Sequence, residues 1–166
     1  MAVPSSREEI LDAVVGWGAA LTFDIPSQNA IMAACAALAA GIDSPSLRVV
    51  AGFDLDAYRW DVFDALVIAL DELGVDFPAV GTDEAKLVAL EQLCRSFLAG
   101  ELDLHQLTGW AHEKIGHEGP EAALPFVELD DEFDGALHSR DQMQHETEVA
   151  ALLYLQSFRK PVGDIP

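Results

Sequence analysis

The sequence predicts an all-α fold, a single compact bundle of about six to eight helices over residues 1–159 with a loosely held tail at 160–166. Three observations predict it. Gly, Pro and capping residues punctuate the chain at helix-length intervals, apolar residues recur every three or four positions, and no stretch alternates as a half-buried strand would.

Ser6 with Glu9 three residues later has capping-box form ahead of Ile10, Leu11, Val14, Val15, Trp17 and Leu21, and Asp24-Ile25-Pro26 breaks this first helix. Ser27 is expected to cap an Ala-rich second helix that runs to Gly41. Ser44-Pro45 supplies an N-cap and first-turn proline for a short third helix closed by Gly52. From Asp56 to Leu73 the residues Val62, Phe63, Leu66, Leu70 and Leu73 share one face, and Gly74 stands where a left-handed terminator is wanted. Thr82 opens a helix with Leu87, Leu90, Cys94, Phe97 and Leu98 inward that ends at Gly100. Asp103 and Gln106 open the next, which stops at Gly116. Pro120 and Pro125 punctuate the acidic stretch from Gly119 to Ser139, where the pattern is weakest. A last helix spans Arg140 to Phe158, with His145, Val149 and Leu152 on its inward face.

Of the 166 residues, 29 are acidic and 9 basic, a net charge of −20 that opposes binding to nucleic acid. Apolar residues make up 51%, enough to offset the entropy of ordering the chain. Cys35 and Cys94 lie far apart in apolar helical settings without a Cys-x-x-Cys spacing, so both are expected to be reduced and buried. No secretory leader is evident, and no apolar run approaches the roughly 18–20 residues of a membrane span. A cytoplasmic protein without a membrane role is the expectation.

His112 and His117 sit in a segment that superficially resembles a zinc-protease helix, but they are five residues apart with Gly116 ending the helix between them. His105 and His112 share a face but stand about 10 Å apart along it. A metal site here needs a third ligand from elsewhere in the fold. Residues 130–141 partly follow a calcium-binding loop, with Asp130, Glu132 and Asp134 at its first, third and fifth positions and Gly135 at its turn. Glu132 and the short final Asp141 depart from that pattern, and no second loop accompanies it. Neither a metal nor another cofactor is expected. No nucleophile stands beside a base, and no Gly-rich phosphate loop is present, so no catalytic residue is assigned.

Charge patterning is the most informative feature. Asp61, Asp64, Asp71 and Glu72 fall opposite the apolar face of their helix, with Ile68 in their midst. Leu129 and Phe133 are likewise set among Glu128, Asp130, Asp131, Glu132 and Asp134. Apolar anchors among carboxylates suit a basic partner, because charges steer the encounter and apolar groups hold the complex. A surface kept soluble by carboxylates has the same composition.

The Ala-rich chain with Gly41-Ile42-Asp43-Ser44-Pro45-Ser46-Leu47 and Gly100-Glu101-Leu102-Asp103-Leu104 resembles small uncharacterised helical proteins of high-GC bacteria. In size, charge and class it is similar to bacterial immunity proteins that neutralise basic nuclease toxins. That resemblance implies a non-catalytic protein that masks a basic protein partner such as a toxin; it assigns no residue. Two alternatives stand beside it: a metal-responsive helical module, and an enzyme whose site assembles from Glu113, His117 or His145.

Overall fold

The computed structural model describes residues 6–134 and 138–158, with Asp134 by its backbone only. The all-α expectation holds: the described residues form eight α-helices and one 3-10 turn, without a strand. They are α1 (Arg7–Leu21), α2 (Gln28–Ala39), α3 (Pro45–Ala51), α4 (Arg59–Glu72), α5 (Asp83–Leu98), α6 (Leu104–Lys114), the turn Glu121–Ala123, α7 (Leu124–Asp134) and α8 (Arg140–Phe158). Contacts gather the chain into two compact units, one ending at Gln92 and the other beginning at Leu93, so that the boundary along the chain falls within α5. The tail 160–166 lies outside the described residues.

In the unit up to Gln92, α1 packs on α2 and α4, and α3 on α2 and α4. The capping box of α1 is complete, Ser6 Oγ accepting from Glu9 N–H and a Glu9 carboxylate oxygen accepting from Ser6 N–H. Val14, Trp17, Ala19, Ala20 and Leu21 are buried from α1, and Val62, Leu66 and Leu70 from α4. The two helices approach closely at Gly18, where an added Cβ would lie 2.7 Å from Leu66 Cδ2.

Two local expectations need correction here. Ser27 precedes α2 but makes no side-chain cap, because its Oγ donates instead to Ala57 O at 2.7 Å. The helix expected from Asp56 begins at Arg59, since Ala57 N–H closes a turn onto Asp54 O at 2.9 Å and the chain enters the helix only after it.

Glu72 shows how a surface carboxylate can be structural. Its carboxylate accepts from Ser46 N–H at 2.9 Å and from Ser46 Oγ–H at 2.7 Å, tying the end of α4 to the first turn of α3. The Ser46 amide, then the Ser46 and Ser44 hydroxyls, hold the Glu72 carboxyl below the usual glutamate range. A lowered carboxyl pKa in the folded state means that the link stabilises above the unfolded value and is lost as pH falls through the folded one. Glu72→Gln is therefore expected to lower the thermal midpoint near pH 7. The gap to the parent should close as the protein is acidified below the ordinary glutamate pKa, which paired melts across pH will show.

The unit from Leu93 onward packs α7 on α6 and α8, and α8 also on α6. A second complete capping box, Asp103 with Gln106, starts α6. Leu104, Leu107, Trp110 and Ala111 of α6, Phe126 and Val127 of α7, and Ala151 and Tyr154 of α8 are buried.

The inward face of α8 differs from the one the sequence predicts. Val149 and Leu152 are 41% and 50% exposed and His145 is exposed, whereas Thr147, Ala151 and Tyr154 are buried. Small Ala151 and self-bonded Thr147, whose Oγ1 donates to Met143 O at 2.7 Å, allow close packing that a strict apolar count overlooks. The cysteines form no disulfide; Cys94 is buried and Cys35 half-buried. Under native conditions a thiol reagent is expected to modify Cys35 much faster than Cys94, and equal rates would contradict this packing.

Candidate functional site

The acidic run of α7 is helical, and helical geometry divides it between two faces. Pro125, Glu128, Leu129 and Glu132 recur at three- and four-residue spacing and face α8, where Glu146, Val149, Ala150, Leu153 and Ser157 form a matching stripe. Together with Ala122, Phe126 and Tyr154 they line an open groove of about 540 Å³. Its floor is apolar, and among the described residues its lining includes three glutamates and no basic side chain. Leu153 stands 60% exposed on its wall. Phe126 meets Tyr154 edge to face, their centroids 5.9 Å apart, beneath the opening.

Asp130 and Asp131 lie on the other side of α7, toward α6. Asp130 is half-buried: its Oδ1 accepts from Thr108 Oγ1 at 3.2 Å, and its Oδ2 lies 2.8 Å from His112 Nδ1. Thr108 is fully buried and its hydroxyl also reaches Leu104 O at 2.9 Å. Asp131 is exposed, with Oδ2 3.1 Å from His117 Nε2 and Oδ1 3.7 Å from His112 Nδ1.

The two histidines meet because the helix ends between them. Ile115 and Gly116 both donate their amides to Ala111 O, and Gly116 takes φ +71°, which reverses the chain so that the His117 ring stands edge to face with His112 at 5.2 Å. The five-residue spacing that separates them on a continuous helix thus brings them together around a terminated one. The third group that sequence spacing leaves unspecified is Asp131.

Other expected site residues divide in the same way. Asp61, Asp64 and Asp71 are exposed and Ile68 is 55% exposed on α4, as its pattern predicts, while Glu72 is engaged by Ser46. Leu129 is only 9% exposed, so it forms part of the groove floor rather than a projecting anchor. Phe133 is half-buried with its ring edge to face with His105 at 5.5 Å, which corrects its expected role as an exposed anchor. Of Asp134 only the backbone, within α7, is described.

The calcium-loop reading fails on secondary structure, because its first five positions, 130–134, are α-helical and the Asp130 carboxylate is held by Thr108 and His112. Residues 135–137 of that pattern lie outside the described ones. The groups considered for catalysis are engaged or solvent-facing: Glu113 pairs with Lys114 at 2.7 Å, His117 with Asp131, and His145 is exposed. No helix among the described residues is long and apolar enough to cross a membrane.

No protein-family model, curated protein or solved structure matches this chain.

Proposed function

We propose that the protein is a non-catalytic binding protein that receives a basic amphipathic helix of a partner protein in the groove between α7 and α8. The observation that carries this reading is the combination of an apolar floor with Glu128, Glu132 and Glu146 and, among the described residues, no positive charge in the lining. An amphipathic helix places apolar residues at three- and four-residue spacing into such a groove and presents its basic side chains to the rim. The eleven residues of α7 rise about 16 Å, enough to accompany roughly three turns of a bound helix. The groove is open along its side, which suits a helix better than a small molecule that needs enclosure.

The charge of the whole chain works in the same direction, since a net −20 attracts a basic protein over a long range and speeds encounter. On the other unit, Ile68 exposed among Asp61, Asp64 and Asp71 belongs to the same class of surface. A toxin-masking role in the manner of immunity proteins is one form of this function.

The test uses fluorescence anisotropy with a labelled peptide carrying Leu and Lys at helical spacing, together with a scrambled peptide of equal composition. Saturable binding to the patterned peptide that weakens with added salt is the expected result, with clearly poorer binding of the scrambled one. Equal affinity for both would show attraction by charge alone and would overturn the groove as the docking site.

A further inference from the structure

The cluster at the end of α6 lies apart from the groove, on the α6-facing side of α7. One ring nitrogen from each of His112 and His117 and one carboxylate oxygen of Asp131 lie within 4.8 Å of one another. Around a zinc ion with bonds of about 2.0–2.1 Å, tetrahedral donors stand about 3.3 Å apart, so closure asks for small rotations of side chains. His117 and Asp131 are exposed and able to make those rotations. His112 is the fixed member: Asp130 holds its Nδ1 at 2.8 Å and is itself held by the buried Thr108 hydroxyl. With Asp130 on Nδ1, His112 would ligate through its other ring nitrogen, Nε2, and a hydrogen-bonded carboxylate that orients the imidazole in this way is the arrangement that supports histidine ligands in metal sites.

From this geometry we propose that His112, His117 and Asp131 bind a divalent transition metal of the zinc class, with Asp130 as the positioning residue. Two imidazoles and one carboxylate suit zinc and its neighbours; calcium and magnesium prefer all-oxygen sets and more ligands. Three protein donors on an accessible surface leave a position for water or for a group from a partner. The metal would clamp the turn after α6 to α7, joining segments that the chain otherwise connects through the Gly116–Gly119 reversal.

Chelator-treated full-length protein is titrated with zinc chloride in a calorimeter, and melting is followed with zinc, calcium or magnesium. The expected result is one saturable zinc equivalent, a higher melting temperature with zinc only, and a visible cobalt(II) spectrum of a low-coordinate nitrogen and oxygen site. His117→Ala and Asp131→Asn should each weaken zinc binding at least about tenfold, and Asp130→Asn by about 10–100-fold, without loss of helical circular dichroism. His145→Ala, on an exposed position of α8, should bind as the parent does. Zinc binding that survives the His117→Ala, Asp131→Asn double variant, or that calcium matches at equal concentration, would assign the ion to the diffuse acidic surface and overturn the site. The peptide-binding groove involves none of these three ligands, so either proposal can fail while the other stands.

Discussion

Replacing Phe126 by alanine is expected to cost about 3–5 kcal/mol of folding stability, read as a fall in the urea midpoint. The side chain is fully buried and stands edge to face with Tyr154, so its removal leaves a cavity between α7 and α8 that neither helix can collapse to fill. A loss of this size is a large fraction of the roughly 5–15 kcal/mol that keeps a domain folded. Leu153→Ala is the matched control: it removes a comparable apolar group from the same groove, but one 60% exposed, and its stability cost should stay within about 0.5 kcal/mol. A small loss for Phe126→Ala would mean that α7 and α8 are not packed as described. A large loss for Leu153→Ala would mean that the groove wall is core.

The second large effect concerns binding. Changing Glu128, Glu132 and Glu146 together to lysine reverses the rim while leaving the apolar floor in place. At about 1 kcal/mol for each reversal of a partly exposed charge, affinity for the basic amphipathic peptide should fall about a hundredfold. The loss should lie mainly in the association rate, and its dependence on salt should flatten. Val149→Ala with Leu153→Ala should instead speed dissociation, since these residues supply contact area rather than long-range attraction. Met32→Ala, exposed on α2, serves as the indifferent control. Full affinity in the triple-lysine protein, with circular dichroism unchanged, would place the peptide elsewhere.

The stability and binding predictions separate two roles within one groove. Phe126 and Leu129 are buried between the helices and form a floor, whereas Leu153 and Val149 are exposed and line the groove with the three glutamates. Substitutions at the exposed lining positions are therefore expected to change binding with little effect on folding. The histidine cluster has the same economy: Thr108 and Asp130 are built into the α6–α7 packing, while His117 and Asp131 face solvent.

Helix ends were legible in the sequence because their causes are local. The capping boxes Ser6–Glu9 and Asp103–Gln106, the Ser44-Pro45 start and the left-handed terminators Gly74, Gly100 and Gly116 depend on residues within a few positions of one another. The buried face of α4 was equally readable, since Val62, Phe63, Leu66 and Leu70 repeat at helical spacing with little interruption. The exposure of Ile68 among carboxylates followed from the same periodicity. Within α7 and α8 the stripes Glu128-Leu129-Glu132 and Glu146-Val149-Ala150-Leu153 were also present as periodic signals, but nothing local marks a stripe as groove rather than core.

Tertiary structure decided the rest, because it depends on which face of one helix meets another. Val149 and Leu152 remain exposed because α8 packs through Thr147, Ala151 and Tyr154. Leu129 becomes floor and Phe133 packs against His105 for the same reason, although both lie in one acidic run. Ser27 leaves its capping position because a carbonyl thirty residues away accepts its hydroxyl. The pairing of His112 with His117 needed only the end of α6, a local event, but their meeting with Asp131 needed α7 laid against α6. Charge and periodicity are properties of the chain; convergence of side chains from different helices is a property of packing, set by burial of side chains distant in sequence.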